Sequence, residues 1–126
     1  MTQDAAILVI EDEEILREII LNVLQEKGYK AIGTGDSHRG LLLAKEFVPD
    51  LILCDIRMPK LDGYEVLKAL RQDSRTTTIP FIFISAEKSQ TVRNQWQKFG
   101  ANGYLAKPFT TDELLTVIAN HINFYK

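Results

Sequence analysis

Apolar residues follow two rhythms along this chain. Unbroken runs at Ile7-Leu8-Val9-Ile10, Leu51-Ile52-Leu53-Cys54 and Phe81-Ile82-Phe83-Ile84 are too short for helices, and suit strands buried on both faces of a parallel sheet. Between these runs the apolar positions recur at helical spacing: Ile15, Leu16, Ile19, Ile20, Val23 and Leu24, then Leu41, Leu42, Ala44 and Phe47, then Tyr64, Val66, Leu67 and Leu70. The alternation predicts repeated strand-helix units.

The residues between the runs punctuate them. Gly28 stands where a left-handed cap closes the first helix, and Tyr29 to Thr34 reads as a second strand, less apolar and so nearer an edge. Asp36 or Ser37 caps the second helix and Pro49 stops it, ahead of the strand over Asp50 to Cys54. Leu61-Asp62-Gly63 is a turn signal before the third helix, and the polar connector Asp73 to Thr78 leads to Pro80, at the mouth of the fourth strand. Ser89 caps a fourth helix with Val92, Trp96 and Phe99 on one face, closed by Gly100. Gly103 to Ala106 is a short last strand, and Thr110 with Glu113 has capping-box spacing ahead of Leu114, Leu115, Ile118 and Ile122. Five strands alternating with five helices predict an α/β fold, a doubly wound five-stranded parallel sheet.

Composition narrows the class. A chain of 126 residues with 45% hydrophobic content and a formal charge of −2 reads as one soluble domain over 1–126, with no output domain expected. No basic stripe predicts nucleic-acid binding. The single cysteine, Cys54, lies in an apolar run as a small buried residue, which implies a reducing, cytoplasmic setting. The amino-terminal apolar run, Ala5 to Ile10, is too short to span a membrane and lacks the basic flank of a signal peptide.

The candidate chemistry lies at the carboxyl ends of the strands. Strand one ends in Glu11 and Asp12, strand three in Asp55, strand four in Ser85 and strand five in Lys107. If strand one is central, strands one and three are neighbours at the switch point of a 2-1-3-4-5 order, and three carboxylates converge there. Such crowding is repulsive without a cation, and a few hard oxygens with room for water and phosphate oxygens suit Mg²⁺. Each residue also has a plainer reading. An Asp at a strand end caps turns, acids at a helix amino terminus answer the macrodipole, Ser85 alone is a turn hydroxyl and Lys107 alone a solvated lysine. The macrodipole accounts for Glu13 and Glu14, but not for Asp55 opposite them. Trp96, Phe99 and the helix-one stripe are core by default, except that Ile15 and Leu16, in its first turn, lie close enough to the pocket to be partly exposed; His38 and His121 are expected at the surface, with no ligand partner at metal spacing.

Taken in order, Glu11-Asp12, Asp55-Ile56-Arg57-Met58-Pro59, Asp62-Gly63, Ser85-Ala86 and Lys107-Pro108-Phe109 resemble the response-regulator receiver domain, the phosphoryl-accepting half of two-component signalling. The resemblance covers nearly the whole chain and implies a flavodoxin-like sheet. It implies that Asp55 accepts a phosphoryl group from the phosphohistidine of a histidine kinase or phosphotransfer protein, with Ile15 and Leu16 available to a helical donor domain. Asp12, Asp55 and the Arg57 carbonyl would bind Mg²⁺ directly, and Glu11 through water. Lys107 and the metal would answer the phosphoryl charge. The Lys107-Pro108 bond is expected to be cis, with Ser85 and the Ala86 amide gripping the attached group. Arg57 and Glu87, each two residues beyond a site residue, are placed to tune its lifetime. Tyr104 resembles a rotamer switch that reads out through the fourth helix, fifth strand and fifth helix to an unidentified protein target.

Two departures accompany the match: Glu11 stands for the more frequent Asp, and Ser85 for the more frequent Thr. Other chemistries on the same fold fit less well. A flavin mononucleotide protein needs a hydroxyl-rich phosphate loop where Glu11-Asp12-Glu13 stands, and a haloacid-dehalogenase-type phosphatase needs a second Asp where Arg57 stands. A degenerate receiver serving only as a docking module is the alternative of a different class, and the intact Glu11, Asp12, Asp55, Ser85 and Lys107 argue against it.

Overall fold

A computed structural model of the protein describes residues 5–86 and 95–122. Five parallel strands, β1 (Ala6–Ile10), β2 (Lys30–Thr34), β3 (Leu51–Asp55), β4 (Phe81–Ser85) and β5 (Gly103–Ala106), form one sheet in the order β2-β1-β3-β4-β5. Among the described residues four helices accompany it: α1 (Glu14–Glu26), α2 (Ser37–Phe47), α3 (Gly63–Arg71) and α4 (Thr111–His121). The helix expected from Ser89 falls mainly on residues 87–94, outside the described residues; Gln95 is helical and 96–100 are turns.

Side-chain alternation along the strands divides the core in two. Leu8, Ile10, Ile52, Cys54, Phe81 and Phe83 point to one face, where Ala44 of α2 and Val66, Leu67 and Leu70 of α3 cover them. Ile7, Val9, Leu51, Leu53, Ile82 and Ile84 point to the other, under Ile20 and Leu24 of α1 and Leu114 and Ile118 of α4. Full burial of each such side chain contributes about 1.5–3 kcal/mol. Because both faces are covered, β1, β3 and β4 read as continuous apolar runs, whereas the edge strand β2 alternates in burial.

The helix ends are held as the punctuation predicts. Asp36 accepts from the amides of His38 and Arg39 at 2.8 and 3.2 Å, and Thr110 and Glu113 form the reciprocal capping box. Asp62 and Glu65 form a second box, which the turn signal alone did not reveal. Gly28 takes the left-handed φ of 100° after α1.

Three default placements are corrected. On α1, Ile15 is exposed, as its place in the first turn beside the pocket predicts, but Ile19 is exposed as well, because the apolar stripe is wider than the groove the sheet offers and only Ile20 and Leu24 are fully buried. Phe99 is 47% exposed and Trp96 half-buried, both lying in the turns at the rim of the α3 face. His121 is half-buried rather than at the surface, with Nδ1 2.7 Å from the Val117 carbonyl one helical turn back.

Candidate functional site

Parallel register brings the strand ends together. Ile10 lies opposite Cys54 and Thr34, Asp55 opposite Ile84, and Ser85 opposite Ala106, so Glu11, Asp55, Ser85 and Lys107 emerge at one edge. The expected strand over Asp50 to Cys54 is shifted by one residue, and Asp55 is its last member, with the rigidity of the sheet behind it. Its far side is closed by α3: a Cβ on Gly63 would collide with the Asp55 carbonyl, and the Gly63 amide donates to Ile56 O at 2.8 Å. No residue with a side chain fits there.

A cavity of about 380 Å³ opens at this edge, lined by Asp12, Glu13, Asp55, Arg57, Ser85, Ala86 and Lys107. Lys107 is held at its rim, where its backbone amide donates to Ser85 O at 2.8 Å and the Lys107-Pro108 peptide bond is cis. Its ammonium lies 3.0 Å from Glu11 Oε1, 3.2 Å from Asp55 Oδ2 and 3.9 Å from Glu13 Oε1. Glu11 is fully buried, Asp55 nearly so, and Asp12 exposed.

The charges are unbalanced. Burial pushes the Glu11 carboxyl up to about 7; the Glu13 amide opposes this, the Asp55 charge adds to it, and Lys107 pulls it back. Burial draws the Lys107 ammonium down, but Glu11 and Asp55 outweigh it and hold its pKa above the usual lysine value. Glu11 Oε2 accepts from the Glu13 amide at 3.1 Å, while the buried Oε1 has Lys107 beside it as an ion pair but no aligned hydrogen bond. One oxygen from each of Glu11, Asp12 and Asp55 lies within 4.8 Å of the others. Three carboxylates against one ammonium, all hard oxygens, with a buried oxygen left without a hydrogen bond, are a donor set that a small divalent cation completes.

The structure therefore brings together Glu11, Asp12, Asp55, Arg57, Ser85, Ala86 and Lys107. Glu87 lies outside the described residues. Tyr104 is half-buried on β5, packed against the α3-side core, and borders an opening shared with Asp112, Glu113, Thr116 and Val117 of α4. Sequence reasoning missed Glu13, which it left to the helix dipole and which in fact lines the cavity; the run of four acids after β1 was the available signal. It missed as well that Lys107, assigned to the phosphoryl oxygens, pairs with both Glu11 and Asp55.

No described helix is long and apolar enough to cross a membrane. Residues 7–119 match the family described as response regulator receiver domain. The chain is 36% identical over 109 residues to the DNA-binding dual master transcriptional regulator RpaA of Synechocystis, covering 86% of this chain and 45% of that protein. It spans about half the length of several curated relatives it matches. The fold superposes on the chemotaxis protein CheY4 of Vibrio cholerae with a TM-score of 0.90 at 28% identity, covering 95% of this chain and 100% of that one. It superposes on the receiver domain of the sensor histidine kinase PA1611 of Pseudomonas aeruginosa with a TM-score of 0.86 at 30% identity, covering 94% and 98%; that structure has a magnesium ion in its active-site cleft. With the acidic cluster at the edge where this sheet opens, the match over nearly the whole length means that the chain belongs to the response regulator receiver domain family of two-component signalling.

Proposed function

We propose that Asp55 is the phosphoryl acceptor of this receiver, taking the group from a phosphohistidine on a histidine kinase or phosphotransfer protein in a cytoplasmic, Mg²⁺-dependent reaction. An Asp55 carboxylate oxygen attacks phosphorus, the nitrogen-phosphorus bond breaks, and the donor imidazole leaves with its electron pair. Asp12, Asp55 and the Arg57 carbonyl would hold the metal, with Glu11 acting through water, and the bound ion would supply positive charge for the phosphoryl oxygens. Lys107 supplies the second positive charge from the opposite rim, and because the Ser85 carbonyl holds its backbone amide, little reorganisation is needed as charge develops. Ser85 and the Ala86 amide line the wall where the transferred group would rest.

The observation that carries this reading is the Lys107 ammonium, poised 3.0 and 3.2 Å from two carboxylates on neighbouring strands, in a cavity that also holds a hydroxyl and a third acid. The domain then acts as a signalling switch rather than a turnover enzyme. Arg57, which lines the cavity, and Glu87, by its sequence position two residues beyond Ser85, set the lifetime of the acyl phosphate. Tyr104, beside the rim that Ser85 controls, carries the change to a protein target across β5 and α4.

Incubation with acetyl phosphate and Mg²⁺, followed by intact mass measurement, is expected to show one phosphoryl adduct that Asp55→Asn abolishes. An undiminished adduct in the variant overturns the assignment. A wild-type protein that accepts nothing with Mg²⁺ present makes it a docking module instead.

A further inference from the structure

The turn between β1 and α1 is held by a second cation that the acceptor chemistry does not use. Arg17, in the first turn of α1, reaches back toward the sheet, and Nη1 donates to the backbone carbonyl of Glu11 at 2.8 Å. It crosses the carboxyl end of the edge strand β2, where Gly33 and Gly35 alternate with bulkier residues. A Cβ on Gly33 would sit 3.3 Å from Arg17 Cγ and Cδ, and one on Gly35 would sit 2.7 Å from Nη1. The second cannot occur unless the guanidinium moves. Two residues without side chains thus open a lane through which Arg17 reaches the acidic turn. From the other side, the Glu11 amide donates to Thr34 O at 3.0 Å, so β2 and Arg17 grip both peptide groups of Glu11.

We propose that Arg17 is a positioning residue for the acidic cluster, one that holds the Glu11 carbonyl through the Gly33/Gly35 lane and thereby aims Glu11 and Asp12 at a divalent cation. The peptide between Glu11 and Asp12 is planar, so fixing its carbonyl direction fixes ψ of Glu11 and φ of Asp12 together. Those two torsions send the first side chain into the protein and the second to the solvent side of the cavity. Its hydrogen bond goes to a neutral oxygen, so the guanidinium holds the turn without occupying a carboxylate oxygen, whereas Lys107 sits directly on two of them. Residues that orient metal ligands from behind typically control affinity about ten- to a hundredfold.

This inference rests on the metal-dependent acceptor reading and assigns a role to residues outside the cavity. Its test is calorimetric Mg²⁺ titration of the full chain, wild type beside Arg17→Ala and Gly35→Ala. Gly35 does not have a positive φ, so alanine there acts by displacing the guanidinium and leaves the charge in the molecule. Both variants are expected to bind Mg²⁺ about tenfold more weakly. Labelling of Asp55 should fall at limiting Mg²⁺ and recover at saturation, a split that simple loss of folded protein would not produce. In the metal-free protein the Glu11 carbonyl carbon resonance should shift in both. Wild-type affinity in both variants, or loss in Arg17→Ala with none in Gly35→Ala, overturns the positioning role. Absence of Mg²⁺ binding by the wild type overturns the acceptor reading instead, and an unmoved Glu11 carbonyl resonance in Gly35→Ala then overturns this inference separately.

Discussion

At the amino-terminal edge of the sheet, Arg71 at the end of α3 meets, among the described residues, neutral oxygens. Its Nη1 donates to Ile79 O at 2.9 Å and Thr76 O at 3.4 Å, Nε and Nη2 donate to Gly100 O at 3.3 and 3.1 Å, and Nη2 also reaches Asn102 Oδ1 at 3.1 Å. Asn102 in turn accepts from the Phe81 amide at 2.9 Å, and Thr76 donates its hydroxyl to Leu70 O at 2.7 Å. At the carboxyl edge Lys107 meets charged oxygens, and the surrounding acids outnumber it. Both cations are half-buried, but one closes a network while the other leaves one open. The lower network joins α3, the connector before β4 and the approach to β5 into a fixed base. The upper cluster holds repelling carboxylates that only a bound cation completes, so the molecule gives up stability there in exchange for a place to bind and react.

The largest expected effect breaks the upper network. Lys107→Ala should slow acetyl phosphate labelling of Asp55 about 10²- to 10³-fold, as loss of a preorganised charge at a reacting oxygen does. A rate within threefold of wild type, followed by intact mass at saturating Mg²⁺, would place the needed charge elsewhere.

Arg71→Met tests the other half of the comparison. Leaving the Ile79 and Gly100 carbonyls without their donor should cost about 3 kcal/mol of unfolding free energy in urea, while Asp55 labelling of the folded fraction keeps its rate. Equal damage to labelling and stability would mean that the two edges are one coupled unit.

A pH series sharpens the electrostatic contrast. Glu11 holds its proton up to about pH 7 in the folded metal-free protein, against 4.5 for the ordinary carboxyl, so between those values the folded state binds more protons than the unfolded one. Metal-free stability should therefore fall as pH rises from about 4.5 to 7, by at most about 3 kcal/mol from this group. Asp36 and Asp73, whose carboxyls are held below their usual value, lose their contributions only as pH falls below about 4. Glu11→Gln should flatten the slope, and saturating Mg²⁺ should do the same in the wild type. A slope that persists unchanged in Glu11→Gln assigns it to another group.

The smallest effect separates the two acids of the turn. Asp12→Ala is expected to weaken Mg²⁺ binding about tenfold more than Glu11→Ala, because a direct ligand contributes more than one acting through water. Calorimetry on the two variants decides it, and a larger loss from Glu11 would reverse their places.

Much of this architecture is local and therefore visible in the chain. Apolar runs of four residues against three- and four-residue recurrences separate strands from helices, and Asp36, Asp62, Thr110, Gly28 and Pro49 mark ends through hydrogen bonds or backbone angles that involve near neighbours. The site was legible for the same reason, since each of its residues follows a strand and a parallel sheet collects such residues at one edge. The exposure of Ile19 was not legible, since periodicity defines a helix face without telling how much sheet is there to cover it.

What the sequence by itself determined is the order of elements and the identity of the groups at the strand ends, because hydrophobic period, capping and turn chemistry act over a few residues. Tertiary structure alone decided which of those groups share a charge. Neither the Glu11 to Lys107 ion pair, nor the rise of the Glu11 pKa, nor the Arg71 network, nor the lane that Gly33 and Gly35 open for Arg17 has a local cause. Each depends on how closely segments far apart in the chain approach one another and on how much water their packing excludes, and those distances exist only once the sheet has formed.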